Sequence, residues 1–291
     1  MTVSRNTVKT FALLAALGGL FVLVGGLIAS RAGALVGLAL GLAVVGGSYW
    51  FSAGLAVRAA RARRVTAAED PRLAAIVTGL TTRAGLPIPE LYVAPSAQPN
   101  AFATGRNPRH AAVCVTRGAL DLLDDEELRG VLAHELSHVA NRDILIASIA
   151  AAIAMALTVV ARMAMWGTLV GGGRGRRGNP LGLLAMSLLA PLAAIVVQMA
   201  ISRSREFEAD RSGADLLGTG EPLARALAKI DTGVRAVPMD VDPAHATAYI
   251  VNPLTGRRVA FAQLFATHPP TAERIERLHA ETGRLRTSSS T

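Results

Sequence analysis

Two long stretches near the start of the chain carry no charged side chain, and they set its first elements. Phe11 to Ala29 runs for 19 residues and Ala32 to Val57 for 26, and a helix needs roughly 20 to cross the hydrocarbon core of a bilayer. Both read as membrane spans, separated only by Ser30 and Arg31. A cleaved signal peptide has a shorter apolar core and no second span directly behind it. Two later apolar stretches, Ile144 to Val170 and Pro180 to Ile201, are less uniform: Arg162 interrupts one, and Pro191 and Gln198 the other. An arginine within a span costs about 2.5 to 3.5 kcal/mol unless it snorkels. The pair is therefore expected either to cross the bilayer or to form a buried or partly inserted hairpin, joined by the flexible Gly171 to Gly178 segment.

Between these stretches the pattern changes. Helical spacing is predicted near Pro71 to Ala84, and short strands near Glu90 to Ala94, Asn100 to Thr104 and Ala111 to Thr116, separated by Pro, Gly and Asn. Asp124 followed by Glu127 reads as a helix N-terminal cap, and Leu128, Val131, Leu132, Leu136 and Val139 follow as a stripe at helical spacing. Beyond Ile201 the pattern is mostly helical. The expected organisation is an anchor over 1–57, two halves of one folded unit over 58–143 and 202–286, the apolar hairpin 144–201 between them, and a disordered tail 287–291. The fold class is mainly α with a small β-sheet.

Composition narrows this further. The chain is 51% hydrophobic but 4% aromatic, with 18% charged residues and a mean hydropathy of +0.39. That balance excludes a disordered, collagen-like or disulfide-framework protein and fits lipid-facing helices built from Ala, Leu, Val and Gly. The single cysteine, Cys114, excludes an intramolecular disulfide.

The candidate chemistry begins with His134-Glu135-Leu136-Ser137-His138. On a helix, positions four apart share one face, so both imidazoles can reach one tetrahedral zinc while Glu135 lies beside its water. A catalytic zinc needs a third protein ligand and an open position. Glu206, in Arg205-Glu206-Phe207-Glu208-Ala209-Asp210, is the candidate; Asp210, one turn on, suits a carboxylate that accepts the N–H of a zinc-bound histidine. His138 stands six residues before the third apolar stretch and Glu206 five after the fourth. A hairpin in that position returns the chain to the same side and joins the two halves of the site.

The residues also carry a family resemblance. Pro99-Asn100-Ala101-Phe102-Ala103-Thr104-Gly105, the run from His134 to Asp143, Ser202 to Asp210 and Thr267 to Leu278 together resemble the HtpX-type membrane zinc metalloproteases, a group related to the CAAX prenyl-protein endopeptidases. The resemblance covers nearly the whole chain. It implies a gluzincin-like catalytic domain with one zinc on His134, His138 and Glu206, Glu135 as the catalytic residue, and a quality-control role in cutting damaged or misassembled membrane proteins.

Other residues are open to two readings. Asn100, Ala101, Phe102 and Ala103 are expected either to form an edge strand that pairs with extended substrate or to be an ordinary structural strand. His268, before Pro269 and Pro270, either donates toward an oxyanion or turns the chain into the next helix. Asn141 either supports the site or is simply polar.

The net charge of +9 fits this arrangement. Arg5, Lys9, Arg58, Arg61, Arg63, Arg64, Arg142, Arg203 and Arg205 flank the catalytic side of the apolar stretches, against Arg31, Arg174, Arg176 and Arg177 opposite. By the positive-inside rule a multi-pass protein of the cell membrane with N-terminus and catalytic domain in the cytoplasm is expected. Polypeptide substrates, membrane proteins among them, and the lipid bilayer are the expected partners; nucleic acid is not, since the arginines line no recognition helix. The rival readings are a prenyl-protein-type processing endopeptidase and a non-catalytic basic membrane scaffold.

Overall fold

The structure, a computed structural model, describes residues 2–145, 203–237, 239, 246, 248–253 and 269–288. Apart from Ile144 and Leu145, the apolar stretch 144–201 lies outside the described residues, as does His268.

Helical residues Thr2–Ala59 form α1, and this run doubles back on itself. A Cβ on Gly37 would lie 2.1 Å from the carbonyl oxygen of Phe21, one on Gly41 3.4 Å from the Cα of Gly18, and one on Gly26 3.6 Å from the Cβ of Ala34. Along one straight helix Phe21 and Gly37 would stand about 24 Å apart at the helical rise of about 1.5 Å per residue. The run is therefore two antiparallel arms reversing near Ser30 and Arg31, with glycines where the backbones approach most closely. Among the described residues no helix is long and apolar enough to cross a membrane; many side chains of the Phe11 to Ala29 run are outside that description.

Beyond α1 lie β1 (Arg63–Arg64), α2 (Pro71–Ala84), β2 (Glu90–Ala94), β3 (Ala101–Gly105), β4 (Ala111–Thr116), α3 (Arg117–Leu122) and α4 (Asp125–Ala140). After the apolar stretch come α5 (Arg203–Leu217), α6 (Glu221–Ala236) and α7 (Thr271–Ser288). Thr287 and Ser288, expected in a disordered tail, instead close this last helix, where the Thr287 hydroxyl donates to the carbonyl of Arg284 at 2.7 Å.

The sheet order is β1-β2-β4-β3. β2 and β4 are parallel, and both outer strands pair antiparallel. All six residues of β4 are buried, as expected of a central strand made of Ala, Val and Cys. β3 is an edge strand, with Ala101 opposite Val115 and Ala103 opposite Val113.

α4 lies at the centre of the helical layer, against α2, α5 and α6. Its capping box is complete: the Asp124 carboxylate accepts from the Glu127 N–H at 2.8 Å, and the Glu127 carboxylate accepts from the Asp124 N–H at 3.0 Å. Leu128, Val131, Leu132, Leu136 and Val139 are all buried. So are His134 and Glu135 on the other side, because α5 covers the face that the apolar stripe leaves. Two glycines permit this packing. A Cβ on Gly130 would lie 2.5 Å from the Leu223 nitrogen of α6, and one on Gly213 3.1 Å from the His134 nitrogen.

Candidate active site

Glu206, Asp210 and Gly213 occupy positions i, i+4 and i+7 of α5 and so share one face. The close crossing at Gly213 turns that face onto His134. The Nε2 atoms of His134 and His138 are 3.2 Å apart, and the Glu206 carboxylate oxygens lie 3.8 Å from the first and 3.6 Å from the second. Ligand atoms of all three residues fall within 4.8 Å of one another.

This donor set fits a tetrahedral cation. With metal–ligand bonds near 2.05 Å the edge of a tetrahedron is about 3.3 Å, close to the separations found. The outer ring nitrogens reinforce the point. His134 Nδ1 lies 2.9 Å from Asp210 Oδ1, and His138 Nδ1 3.5 Å from Asp143 Oδ2. A carboxylate at Nδ1 holds the ring proton there and leaves Nε2 as a lone pair. Two lone pairs would then face each other and a carboxylate, an arrangement that repels itself unless a metal ion, or a proton on one ring, lies between.

Glu135 sits beside this cluster, 3% exposed. Burial raises its pKa, offset in part by His134, His138 and the N–H that Ala103 donates to its carboxylate. Burial alone would lower the His138 pKa, but hydrogen bonding to Asp143 and the charges of Glu206 and Glu135 outweigh it and lift it to about 9 when no cation is bound. A buried proton acceptor beside a cation site is the arrangement that water-mediated hydrolysis needs.

A family model for peptidase family M48 matches residues 67–282 of the chain, a span that contains every residue of this cluster. The chain belongs to peptidase family M48. This M48 peptidase is 48% identical to a protease HtpX homolog of Pelotomaculum thermopropionicum over 94% of its own length and 99% of the relative's. It is 50% identical to another from Kineococcus radiotolerans, over 96% and 98%. The crystal structure of S. mikatae Ste24p is similar at 20% identity with a TM-score of 0.48, over 95% of this chain and 66% of that one. Family M48 peptidases of the HtpX type are metalloproteases acting on polypeptides, so the M48 peptidase is an enzyme and the scaffold reading is not favoured.

Two residues of the M48 peptidase site were not singled out from the sequence. Arg274 of α7 is 1% exposed. It grips Asp210 through Nε at 2.9 Å and Nη2 at 2.7 Å, and its Nη1 donates to the Ile250 carbonyl at 2.8 Å. Burial works against both charges of this pair, yet the Arg274 guanidinium pulls the Asp210 pKa below its usual range and Asp210 raises that of Arg274. Asp143 faces His138, its Oδ2 3.5 Å from Nδ1. Asn141 caps α4, and Arg142, at φ 57°, turns the chain so that Asp143 returns to the site.

The strand residues divide. Asn100 faces β4 and the 248–253 segment, its carbonyl accepting from Thr116 N–H at 2.9 Å and its amide donating to the Val251 carbonyl at 2.8 Å. The Ala101 carbonyl accepts from Ile250 N–H at 2.9 Å, and Phe102 packs edge-on to Tyr249 with ring centroids 5.0 Å apart. Ala103 faces Glu135, its N–H donating to the carboxylate.

Proposed function

We propose that this metalloprotease is a zinc-dependent endopeptidase anchored in the cell membrane, which cuts misfolded or damaged membrane proteins at its cytoplasmic face. His134, His138 and Glu206 hold one zinc, and Glu135 is the general base. The observation that carries this reading is the convergence of a ring nitrogen from each of His134 and His138 with the Glu206 carboxylate within 4.8 Å, with Glu135 next to them. Zinc bound there would acidify a water toward a pKa of about 7 and polarise the scissile carbonyl. Glu135 takes the proton from the attacking water and hands it to the departing amine. Asp210 and Asp143 hold the two imidazoles in one tautomer and orientation. Ala103, beside Glu135, is where β3 meets the extended backbone of a substrate, and the Ala101 carbonyl is bonded to Ile250 N–H.

The anchor reading is supported by the two uncharged runs and by the small-residue packing of the α1 arms. The halves 58–143 and 202–286 form one catalytic unit, the apolar stretch 144–201 inserted between them. The test is made on full-length protein in detergent. Glu135→Gln is expected to retain one zinc per chain while casein hydrolysis falls by about 10³-fold, and a chelator abolishes the wild-type activity. Cleavage by Glu135→Gln at the wild-type rate would overturn its role, and a wild type that holds no zinc would overturn the metal.

A further inference from the structure

Asn100 directly precedes β3 and is fully buried. A buried amide must find partners for its oxygen and its N–H groups, and here the main partner is one distant residue. Asn100 Nδ2 donates to the Val251 carbonyl at 2.8 Å, and Oδ1 accepts from the Val251 N–H at 3.3 Å. The side chain thus pairs both backbone groups of Val251, as a neighbouring strand would; Oδ1 also accepts from the adjoining Ala101 N–H at 3.2 Å. The mounting of this clamp is rigid. Asn100 N–H donates to Thr116 Oγ1 at 2.8 Å, and its carbonyl accepts from Thr116 N–H at 2.9 Å, where Thr116 ends the buried central strand.

Residues 248–253 form turns and bends, not helix or strand, so their backbone groups depend on partners from elsewhere in the chain. Gln98, also fully buried, donates to the Val237 and Pro253 carbonyls at 2.7 and 3.1 Å. Beside the Asn100 clamp stands Ile250, whose N–H donates to the Ala101 carbonyl at 2.9 Å and whose own carbonyl accepts from Arg274 Nη1 at 2.8 Å. A guanidinium is a planar fork, so fixing Nη1 also fixes the directions of Nε and Nη2, and both of these meet Asp210. The tolerance is small. Arg274 Nη2 lies 2.7 Å from Asp210 Oδ1 and 3.4 Å from His134 Nδ1. A tilt of the fork would set an N–H against the ring nitrogen in place of the carboxylate that holds its proton.

We propose that Asn100 is a positioning residue for the zinc site: by clamping the Val251 backbone it holds the Ile250 carbonyl against Arg274 and, through Asp210, keeps the His134 imidazole aimed at the metal. This rests on the zinc endopeptidase reading and extends its site to a residue that touches neither metal nor substrate. The backbone of Asn100 is bonded to Thr116 and its amide to Val251, so what it holds is the protein's own 250–251 segment. Each link is a short hydrogen bond between buried groups, where the alternative of bonding to water is absent. Loss of the first link therefore reaches the last.

The test uses full-length protein in detergent, with zinc affinity measured by competition with a chelating dye. Asn100→Ala is expected to weaken zinc binding about tenfold. In an Arg274→Lys background, where the planar fork is gone, the same change weakens it by no more than about twofold. Asn100→Thr keeps a polar side chain suited to a strand but stops short of Val251, and it gives the same loss should Asn100→Ala fail to fold. Leu80→Ala, a truncation among the buried residues of α2, lowers the melting temperature yet leaves zinc affinity within about twofold of wild type. With Co2+ in place of zinc, the visible absorption bands, which report ligand geometry, change shape in Asn100→Ala and not in Leu80→Ala. Wild-type zinc affinity in Asn100→Thr, an equal loss with and without Arg274, a loss matched by Leu80→Ala, or an unaltered cobalt spectrum overturns the inference and leaves the endopeptidase reading intact. So does a KM for casein that rises at wild-type zinc affinity, which would assign Asn100 to the substrate. A wild type that binds no zinc overturns the underlying reading instead.

Discussion

Arg274 carries a full charge into the interior, and the reason lies in what it holds. Its two-point grip on Asp210 fixes the carboxylate that in turn fixes His134. Arg274→Ala would leave Asp210 buried without its counter-ion, a loss of about 3 to 5 kcal/mol, and is expected to weaken zinc retention about 10- to 100-fold. Arg274→Lys keeps the charge but not the planar fork, so it should recover thermal stability while zinc retention stays low. Thermal unfolding and competition with a chelating dye separate the two effects; equal recovery of both would reduce Arg274 to a generic counter-ion. The residue had a signal in the sequence. Arg274 shares one buried stripe with Leu278 and Thr282 at intervals of four, and a charge on a stripe that otherwise faces the core calls for a buried partner. Asp143 had none, because its return to His138 depends on the left-handed turn at Arg142.

At the scale of elements, α4 was legible almost completely. Its cap, apolar stripe and paired histidines all depend on residues three or four apart, which a helix brings together whatever surrounds it. What surrounds it is decided by glycines. Gly130→Ala would drive a Cβ into the backbone of α6 at Leu223 and is expected to destabilise the protein by about 1 to 3 kcal/mol, read as a drop in melting temperature. A neutral result would mean that α4 and α6 can separate without cost. The edge position of β3 was written only as an expectation, since strand order comes from pairings between segments and not from alternation within one. The structure adds that Ile250 N–H bonds the Ala101 carbonyl at the start of that strand, a contact across about 150 residues of chain that no local pattern announces.

For the whole molecule, the apolar runs and the arginines beside them predict which parts share a side of the membrane. Single cysteines introduced at Asn6, Ser30 and Ser288 in the full-length protein test this with a membrane-impermeant maleimide. Ser30→Cys should label in intact spheroplasts, and the other two only after rupture. Cys114 stays silent, because burial pushes its thiol up to about 12 and encloses it. Equal labelling at Asn6 and Ser30 would sink the two-arm crossing. Charge-free length, helical spacing and caps are properties of neighbouring residues, so the sequence by itself determined the two apolar arms, the paired histidines beside Glu135 and the positions of three of the four strands, the short β1 (Arg63–Arg64) excepted. Joining Glu206 to His134 and His138, choosing Arg274 and Asp143 as their supports, and setting the second arm of α1 against the sheet fell to the tertiary structure. Those contacts link segments tens to hundreds of residues apart, and only the packing of α5 and α7 on α4, and of α1 on the sheet, brings their side chains within reach.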